Sequence, residues 1–414
     1  MLKIVWITAS RFTEEKIKGT GTWIISLAEQ MHKSGKVDII LFSLVPVDNI
    51  IKEHVFGIPQ YVFPNVSNRC VSKETGLIIE KELDKIRPDI IHIWGTESNI
   101  STLFTKGYIK YPSFVDLQGF MPSIPVNITK GLSVKELIKA HFGIREILHP
   151  RISLYFIRRE YQKKSEMTLY VLSKFKFVSV QSKWVEAQIS AYFPNIKIVN
   201  TNIILREEFY QASKWKYHEK KRPTIFTCAS STLIPYKGLY TLLKGLMIVK
   251  SKYPNVLLRI AGIPIRKRRK TGFERIIHNF IIKNNLIDNI EFIGPLDAES
   301  LVSELQESNI CVVPSYVETY CLALAEAQMI GIPCVVSYAG AMPEIAKPDE
   351  EALFYDPLDY HMMAFQIKRL LSNRELCIEL STRAIEHREK DNDKDLITEN
   401  QIKNYYTIIE YLSK

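Results

Sequence analysis

Short apolar runs alternate with stretches of helical hydrophobic periodicity along the whole chain. A first series of runs, each bounded by Gly, Pro or polar residues, comprises Lys3–Thr8, Val37–Leu44, Asp89–Trp94, Ser113–Leu117, Phe177–Gln181 and Ile196–Val199. A second series comprises Thr224–Cys228, Val256–Ala261, Ile290–Ile293, Ile310–Val313 and Pro333–Val336. Because buried parallel strands connected by amphipathic helices give this pattern, it predicts an α/β fold with two mostly parallel sheets.

The two series are separated by a polar, basic and aperiodic stretch, Ser213–Pro223. We therefore predict one domain over residues 1–210 and a second over residues 211–390. Near the end of the chain, apolar residues recur at helical spacing at Ile402, Tyr405, Ile409 and Leu412. Residues 391–414 are accordingly predicted to form a separate amphipathic helix, with Asp391–Asp395 as its capping region.

Composition places the chain among ordinary globular proteins, with 46% hydrophobic and 24% charged residues. We expect neither a secretory signal nor a membrane span, because the first residues predict a buried strand. The longest apolar stretch near the start, Val37–Val47, is also shorter than the ~18 residues that a span requires. The six cysteines show no CxxC pair and no metal-ligand spacing, which favours reduced thiols in a cytoplasmic protein.

The net charge of +10 indicates an anionic partner. The chain contains no zinc finger, homeodomain or aromatic–basic RNA motif, so nucleic acid is disfavoured, whereas phosphorylated substrates and an anionic membrane surface stay open. Three basic regions compete to explain the charge. The run Arg266–Lys270 follows a predicted strand and could meet phosphate groups, although a solvated loop is the slightly favoured interpretation. The lysines and arginine of Lys214–Arg222 are most simply solvated.

The third basic region is a helix predicted to start after Pro150. Its cations, which are expected to share one broad face, are Arg151, Arg158, Arg159 and Lys163. Its apolar residues available for burial are Leu154, Ile157 and Tyr161. This arrangement suits a peripheral membrane helix, and an ordinary surface helix is the alternative.

The strongest candidate site follows the predicted strand Ile310–Val313. A loop carrying Glu318 leads into a helix predicted from about Tyr320 to Ile330, and Gly331 is expected to end it. Backbone N–H groups at the start of a helix form an anion site, so those of Tyr320, Cys321 and Leu322 could hold a diphosphate.

Two carboxylates flank this helix start, Glu318 just before it and Glu326 about two turns along it. Each could accept hydrogen bonds from hydroxyls, one from a sugar and one from a ribose. On spacing alone, the alternative is a carboxylate that favours the helix dipole together with a solvated glutamate.

Several further motifs occur in one order along the chain. They are Pro88-Asp89-Ile90-Ile91-His92, Pro235-Tyr236-Lys237-Gly238, Ala261-Gly262, Phe292-Ile293-Gly294 and Gly340-Ala341-Met342-Pro343-Glu344. With the Glu-x7-Glu signature of Glu318 and Glu326, the chain resembles the retaining nucleotide-sugar glycosyltransferases of the GT-B fold, group 1 or family 4. The resemblance covers nearly the whole chain.

This resemblance implies two Rossmann-like, doubly wound domains that face each other across a cleft, with the last helix crossing back to the first domain. The first domain would be the acceptor side, and the second would bind a nucleotide-sugar donor. The reaction would be metal-independent sugar transfer with retained configuration, without a cofactor. The acceptor would be a glycan or a lipid-linked molecule in surface polysaccharide biosynthesis, at the cytoplasmic face of a membrane.

The resemblance also implies roles for single residues. Glu318 would contact the transferred sugar, Glu326 the ribose and Lys237 the diphosphate, where a fixed cation stabilises the charge that grows on the leaving group. Other donor-binding candidates are Gly262, the helix-start residues Tyr320, Cys321 and Leu322, Gly21 in the glycine-rich loop Gly19–Thr22, and Gln118, where the family usually has a histidine. Two more departures are Ser231-Thr232 in place of Gly-Arg and Tyr320-Cys321-Leu322 in place of Phe-Gly-Leu.

These departures, at Thr232, Cys321 and Gln118, leave a catalytically silent nucleotide-sugar-binding subunit as one alternative. A sugar-nucleotide epimerase on the same fold is another. A glycosidase is disfavoured, because it would leave Lys237 and the helix start unexplained. Asp391-Asn392-Asp393 imitates a metal-binding DxD motif but is assigned to capping the last helix, and the histidines show no ligand spacing, so no metal is expected.

Overall fold

The computed structural model of the 414-residue chain describes residues 1–14, 23–65, 71–96, 98–230, 234–267 and 270–413. Several predictions fall outside these ranges. They concern the glycine-rich loop Gly19–Thr22 with its Gly21, the pair Ser231-Thr232, and Arg268 and Arg269 of the basic run.

The first half of the chain builds one sheet around strands that are mostly buried on both faces. Its strands are β1 (Leu2–Thr8), β2 (Val37–Val45), β3 (Ile51–Val55), β4 (Ile58–Pro64), β5 (Ile90–Trp94), β6 (Ser113–Asp116), β7 (Phe177–Val180) and β8 (Lys197–Asn200). Within the described residues the order is β3-β4-β2-β1-β5-β6-β7-β8, and every pair is parallel except β3 with β4.

The hairpin of β3 and β4 was not predicted. In β3, half-buried and exposed positions alternate up to the buried Val55, so the strand lacks the continuous apolar run that marks a strand covered on both faces.

The helices of this half connect the strands and cover the sheet. They are α1 (Trp23–Lys33), α2 (Lys73–Ile86), α3 (Thr102–Thr105), α4 (Val134–Phe142), α5 (Ile144–Leu148), α6 (Leu154–Leu172), α7 (Lys183–Tyr192) and α8 (Glu207–Gln211). The predicted basic helix is α6, but it begins at Leu154, because Ser153 caps it by accepting a hydrogen bond from Phe156 N. Arg151 therefore lies in a preceding 3-10 turn and Arg158 is half-buried, so the predicted four-cation face of one helix is wrong.

The second half forms a parallel sheet. Its strands are β9 (Thr224–Ser230), β10 (Leu257–Gly262), β11 (Ile290–Gly294), β12 (Ile310–Val313), β13 (Cys334–Ser337) and β14 (Leu353–Tyr355). Their order in the described residues is β11-β10-β9-β12-β13-β14. The helices are α9 (Leu239–Lys252), α10 (Gly272–Lys283), α11 (Ala298–Glu307), α12 (Leu322–Ile330), α13 (Met342–Ile345), α14 (Tyr360–Ser372), α15 (Arg374–Asp391) and α16 (Lys394–Leu412). The prediction of two parallel-sheet α/β domains is confirmed.

The last helix, α16, returns to the first sheet as expected. Asp393 caps it by accepting a hydrogen bond from Leu396 N at 2.8 Å. Trp6 Nε1 of β1 donates to the hydroxyl of the buried Tyr405 at 2.9 Å. The two ends of the chain therefore share one core. In the ranges that the structure describes, no helix is both long and apolar enough to cross a bilayer.

The stretch Ser213–Pro223 is not a solvated linker throughout. Trp215 is buried, its Nε1 donates to Ser308 O at 2.8 Å, and its backbone N–H donates to Ile330 O at 2.7 Å. Lys214 Nζ donates to Met329 O at 3.0 Å and lies 3.0 Å from Glu389 Oε1. The expectation that Lys214 is simply solvated is therefore wrong. A single tryptophan among basic residues leaves no periodicity from which its burial could be predicted.

Candidate functional site

A cavity of about 440 Å³ lies where the carboxyl ends of strands from both sheets face each other. This edge is where open α/β sheets bind ligands, and the volume suits a small molecule. Each predicted site residue that the structure describes lines the cavity. These residues are Gln118, Lys237, Gly262, Glu318, Tyr320, Cys321, Leu322 and Glu326.

Lys237 reaches the cavity from a tight turn. It ends a 3-10 turn over Pro235–Lys237, and Gly238 follows with a φ of +74°. A Cβ atom on Gly238 would lie 1.8 Å from Pro314 O, so only glycine fits between the turn and the end of β12. This close approach brings Lys237 Nζ to 2.7 Å from Glu318 Oε1.

Glu318 is fixed in turn by the segment that begins α13. Gly340 has a φ of +58°, and a Cβ there would lie 2.1 Å from Glu318 O. Ala341 N donates to that same carbonyl at 2.9 Å. The Gly340–Glu344 motif therefore supports the loop that presents Glu318, which sequence spacing alone did not reveal.

Lys237 and Glu318 form a mostly buried ion pair, with side chains 21% and 15% exposed. Burial opposes the charge on Lys237, but attraction to the Glu318 carboxylate and the hydrogen bond that Lys237 donates to it outweigh burial and raise the pKa of Lys237 above its ordinary value. The cavity thus holds a protonated ammonium group beside a carboxylate, an arrangement that can bind one anion and one hydroxyl side by side.

The helix start lies slightly later than predicted. Helix α12 begins at Leu322 with Cys321 as its N-cap, whereas the predicted start was Tyr320. Helical geometry leaves the amides of Leu322 and Ala323 without an intrahelical acceptor, so they take the place expected for those of Tyr320 and Cys321. Gly331 ends the helix in a left-handed conformation, as predicted.

Cys321 occupies an uncommon backbone conformation. Its φ of +105° is one that favours glycine, the residue that the resembled family usually carries here. Burial raises the pKa of the Cys321 thiol well above its ordinary value, which keeps this side chain neutral. The side chain of Tyr320 is directed away from the helix start, since its hydroxyl accepts from Asn392 Nδ2 at 3.3 Å.

Glu326 is not a solvated second-turn glutamate. It is 6% exposed, and Arg206 donates to its Oε1 from Nε at 2.9 Å. Burial raises the pKa of Glu326, while the charge of Arg206 and its hydrogen bond oppose that rise. Arg206 also lines the cavity, packs over the ring of Phe209 and was missed by the sequence analysis. No motif marks it, because its partner is 120 residues away.

Contacts between the two sheets' connecting segments close the cleft. Ser182 Oγ donates to Thr319 O at 2.7 Å, and Thr319 Oγ1 donates to Gln118 O at 3.3 Å. The Glu344 carboxylate accepts from Lys183 N at 2.7 Å and Trp184 N at 2.8 Å, at the start of α7. The carbonyl of Gln118 is therefore already engaged, and its side-chain amide is the part left to contact a ligand.

The Asp391–Asp393 segment serves the C-terminal helices. Asp391 Oδ2 lies 2.9 Å from Arg388 Nη2, Asn392 Nδ2 donates to Ile203 O at 2.7 Å, and Asp393 caps α16. The described part of the chain contains no group of three or more His, Cys, Asp or Glu placed to hold a metal ion.

Comparison with known proteins gives a family match to the part of the chain that holds the second sheet. Residues 211–387 match the family described as "Glycosyl transferases group 1". The D-inositol 3-phosphate glycosyltransferase of Corynebacterium efficiens is 28% identical over 157 residues, which are 37% of this chain and 36% of that protein. The alignment thus spans about a third of that relative's length.

Solved structures resemble the chain over nearly its whole length. Sucrose-phosphate synthase from Thermosynechococcus elongatus has a TM-score of 0.72 at 16% identity, covering 99% of this chain and 100% of that one. The Anabaena protein HepE, in complex with UDP and glucose, has a TM-score of 0.64 at 14% identity, covering 98% and 100%. At this identity the likeness shows a shared GT-B fold.

Proposed function

We propose that the chain, whose residues 211–387 match the family of group 1 glycosyl transferases, transfers a sugar from a nucleotide diphosphate-sugar to an acceptor hydroxyl. The observation that carries this proposal is the convergence of Lys237, Glu318, Glu326 and the start of α12 on one cavity. A cation and free helix amides suit a diphosphate, and the two carboxylates suit the hydroxyls on either side of it.

The diphosphate would lie between Lys237 and the amides of Leu322 and Ala323. Negative charge grows on the departing phosphate as the glycosidic bond breaks, and a cation held in advance stabilises that charge most. In the free protein Lys237 is paired with Glu318 at 2.7 Å, so the lysine is already in position when the donor arrives. HepE binds UDP, which makes uridine diphosphate sugars the first donors to test.

The donor's hydroxyls would be shared between the two glutamates. Glu318 would accept from the transferred sugar and Glu326 from the ribose, with Gln118, Gly262, Tyr320 and Cys321 completing the wall around the donor. The predicted contribution of Gly21 from the opposite wall lies outside the described residues.

The transfer would retain configuration and use no metal. The bond from the anomeric carbon to the phosphate oxygen breaks, the acceptor oxygen bonds to the same face of that carbon, and the departing phosphate takes the acceptor's proton. Lys237 supplies the positive charge that a metal ion supplies elsewhere, and the phosphate replaces a dedicated protein base.

The acceptor would be a glycan or a lipid-linked molecule for surface polysaccharide, used at the cytoplasmic face of a membrane. Support comes from the net charge of +10 and from the exposed cations Arg151, Arg159 and Lys163 of the first domain. Each such cation contributes at most about 1 kcal/mol near an anionic surface, so attachment would be reversible.

A screen of nucleotide sugars, which follows binding by calorimetry and slow donor hydrolysis by product analysis, tests the proposal. We expect one donor to bind and to be hydrolysed, and Lys237→Ala to lose hydrolysis while staying folded. Binding without turnover, even with acceptors, would instead indicate a silent subunit, the alternative raised by the sequence departures at Thr232, Cys321 and Gln118. An isomerised nucleotide sugar would indicate an epimerase, and the absence of any binding would refute all three.

A further inference from the structure

Helices α4 and α5 present an apolar surface to solvent. Six large hydrophobic side chains, here called the α4–α5 face, are between 57% and 80% exposed: Val134, Ile138, Phe142, Ile144, Ile147 and Leu148. Contiguous apolar surface of this kind is uncommon on a soluble monomer and marks a site of interaction.

Spacing joins the three α4 side chains into one stripe, and α5, which follows α4 directly after Gly143, carries the other three. Val134, Ile138 and Phe142 follow at every fourth position of α4 and therefore form one stripe. The ring of Phe142 lies 6.5 Å from that of Tyr155 on α6, which is itself half exposed. Arg159 in turn lies over the Tyr155 ring, so the apolar surface is continuous with the cations of α6.

Between Lys130 and Arg151, the exposed charges beside this face have one sign. Lys135, Lys139, Arg145 and Arg151 are exposed beside it. The acidic residues between Lys130 and Arg151 are Glu136 and Glu146, and both are turned inward. Glu136 accepts a hydrogen bond from Tyr240, and the buried Glu146 pairs with Arg275. The outer surface is thus apolar and basic, while the acidic groups face the second domain.

The inner surface of the same helices is already occupied. Helix α4 packs so closely on α10 that a Cβ on Gly272 would lie 2.8 Å from the Cα of Ala140. Lys244 Nζ donates to Gly131 O at 3.0 Å in the segment before α4. The exposed face is therefore the side directed away from the rest of the described molecule.

We propose that the α4–α5 face is a docking surface for an anionic lipid bilayer, into whose interface Phe142, Ile144 and Leu148 insert. Apolar side chains flanked by lysine and arginine match both the acyl boundary and the negative headgroups of such a bilayer. A second copy of the chain fits less well, because a twofold axis through this face would oppose Lys139 and Arg145 to their own equivalents.

This inference rests on the membrane attachment in the proposed function and names the surface of the protein that would contact the membrane. It differs from attachment by charge alone, which would need no apolar contact and would vanish at high salt. If apolar side chains insert into the bilayer, part of the vesicle binding should persist at high salt.

The test measures co-sedimentation of the full-length protein with phosphatidylcholine vesicles that contain or lack phosphatidylglycerol. The test variant combines Phe142→Ser, Ile144→Ser and Leu148→Ser. Its matched control combines Phe365→Ser, Ile287→Ser and Leu396→Ser, which alters the same three residue types at exposed positions elsewhere. We expect the test variant to bind anionic vesicles at least about tenfold more weakly and the control to change less than about twofold, since the withdrawal of even one inserted apolar side chain costs about tenfold.

A second set separates charge from insertion. The variant with Lys135→Gln, Lys139→Gln and Arg145→Gln should lose about fivefold per charge at low salt, against a control with Lys176→Gln, Lys197→Gln and Lys403→Gln. If the serine variant binds anionic vesicles as the wild type does, insertion is refuted, even when the glutamine variant no longer binds them. If the wild type ignores anionic vesicles, or is a dimer that the serine variant dissociates, the bilayer proposal falls.

Donor hydrolysis in solution keeps this result distinct from the proposed function. The serine and glutamine variants lie outside the cavity and should hydrolyse the donor as the wild type does. Loss of vesicle binding with hydrolysis intact supports the docking surface, whereas vesicle binding without any donor chemistry would refute the proposed transfer and leave the docking surface standing.

Discussion

The guanidinium of Arg206 contacts a single carboxylate oxygen of Glu326, Oε1, with Nη2 at 2.7 Å and Nε at 2.9 Å. Both side chains are about one-tenth exposed and both line the cavity. The second carboxylate oxygen is thus left for another donor, and Arg206 sets the direction in which it points. We infer that Arg206 positions Glu326 for the ribose.

Arg206→Ala should weaken donor binding by tenfold or more and lower the free energy of unfolding by about 3–5 kcal/mol, because it leaves a buried carboxylate unpaired. Calorimetric titration with the donor and denaturant unfolding measure the two effects. Arg259→Ala, which removes a bidentate pair with Glu304 away from the cavity, is the control and should leave donor affinity unchanged. Native donor affinity in Arg206→Ala would mean that the pair is purely structural.

The two glutamates should separate binding from turnover. Glu326→Ala should lower donor affinity ten- to a hundredfold, since lost hydrogen bonds to a ribose cost about 1–3 kcal/mol. Glu318→Ala should mainly lower kcat, because Glu318 is predicted to contact the transferred sugar. Calorimetry and steady-state kinetics measure these effects, and unchanged donor affinity in Glu326→Ala would remove the ribose assignment.

Gly340→Ala should abolish most activity, although Gly340 itself does not line the cavity. A Cβ there would collide with Glu318 O, so the loop carrying Glu318 must move. Gly35→Ala is a matched control, because Gly35 has a similar φ of +64° but nothing within 4 Å of the added Cβ. The control should lose only about 1 kcal/mol of stability and keep its turnover. Equal losses in both variants would show that backbone strain alone accounts for the effect.

Activity should survive an excess of EDTA, because Lys237 and the α12 amides supply the positive potential at the diphosphate. The measurement is donor turnover before and after chelation, with Mg²⁺ or Mn²⁺ added back. Turnover that is lost on chelation and restored by either metal would contradict the metal-independent mechanism.

Stability should depend on pH through His387. Its hydrogen bonds to Asp391 and Glu351 raise its pKa to about 9. A raised histidine pKa stabilises the fold fully below the unfolded value of about 6.5, and this contribution is lost as the pH rises through 9. We expect about 2 kcal/mol, reduced for partial exposure.

Denaturant unfolding of the wild type and His387→Gln measures this contribution. The difference between them should be largest near pH 6 and should vanish above about pH 9. His361→Gln, which changes an exposed histidine outside the cluster, should show no such trend. A constant difference across this range would contradict the assignment to the protonated imidazole.

The sequence predicted structure best where a residue type is strongly tied to one structural role. Continuous apolar runs located most of the strands that are covered on both faces to within one or two residues, and β12 to the residue, whereas the three-residue β14 was missed. Gly331 marked the end of α12 because few other residues accept its left-handed conformation. Alternation hid β3 and β4, and the buried Trp215 was missed, because neither produces a continuous or periodic apolar signal.

By itself, the sequence determined the two mostly parallel sheets, the last helix and the residues around the start of α12. Its resemblance to the glycosyltransferase family implied that this helix returns and that Lys237, Gly262 and Gln118 belong to the same site. Strand periodicity and motif spacing are local properties, so they survive without knowledge of the fold. Only the tertiary structure decided which partners these residues have. The Lys237–Glu318 pair, the support of Glu318 by Gly340 and the Arg206–Glu326 pair join segments 81, 22 and 120 residues apart. The apolar side of α4 and α5 likewise became visible only when packing against α10 showed which face stays outside, because periodicity gives the faces of a helix but not their neighbours.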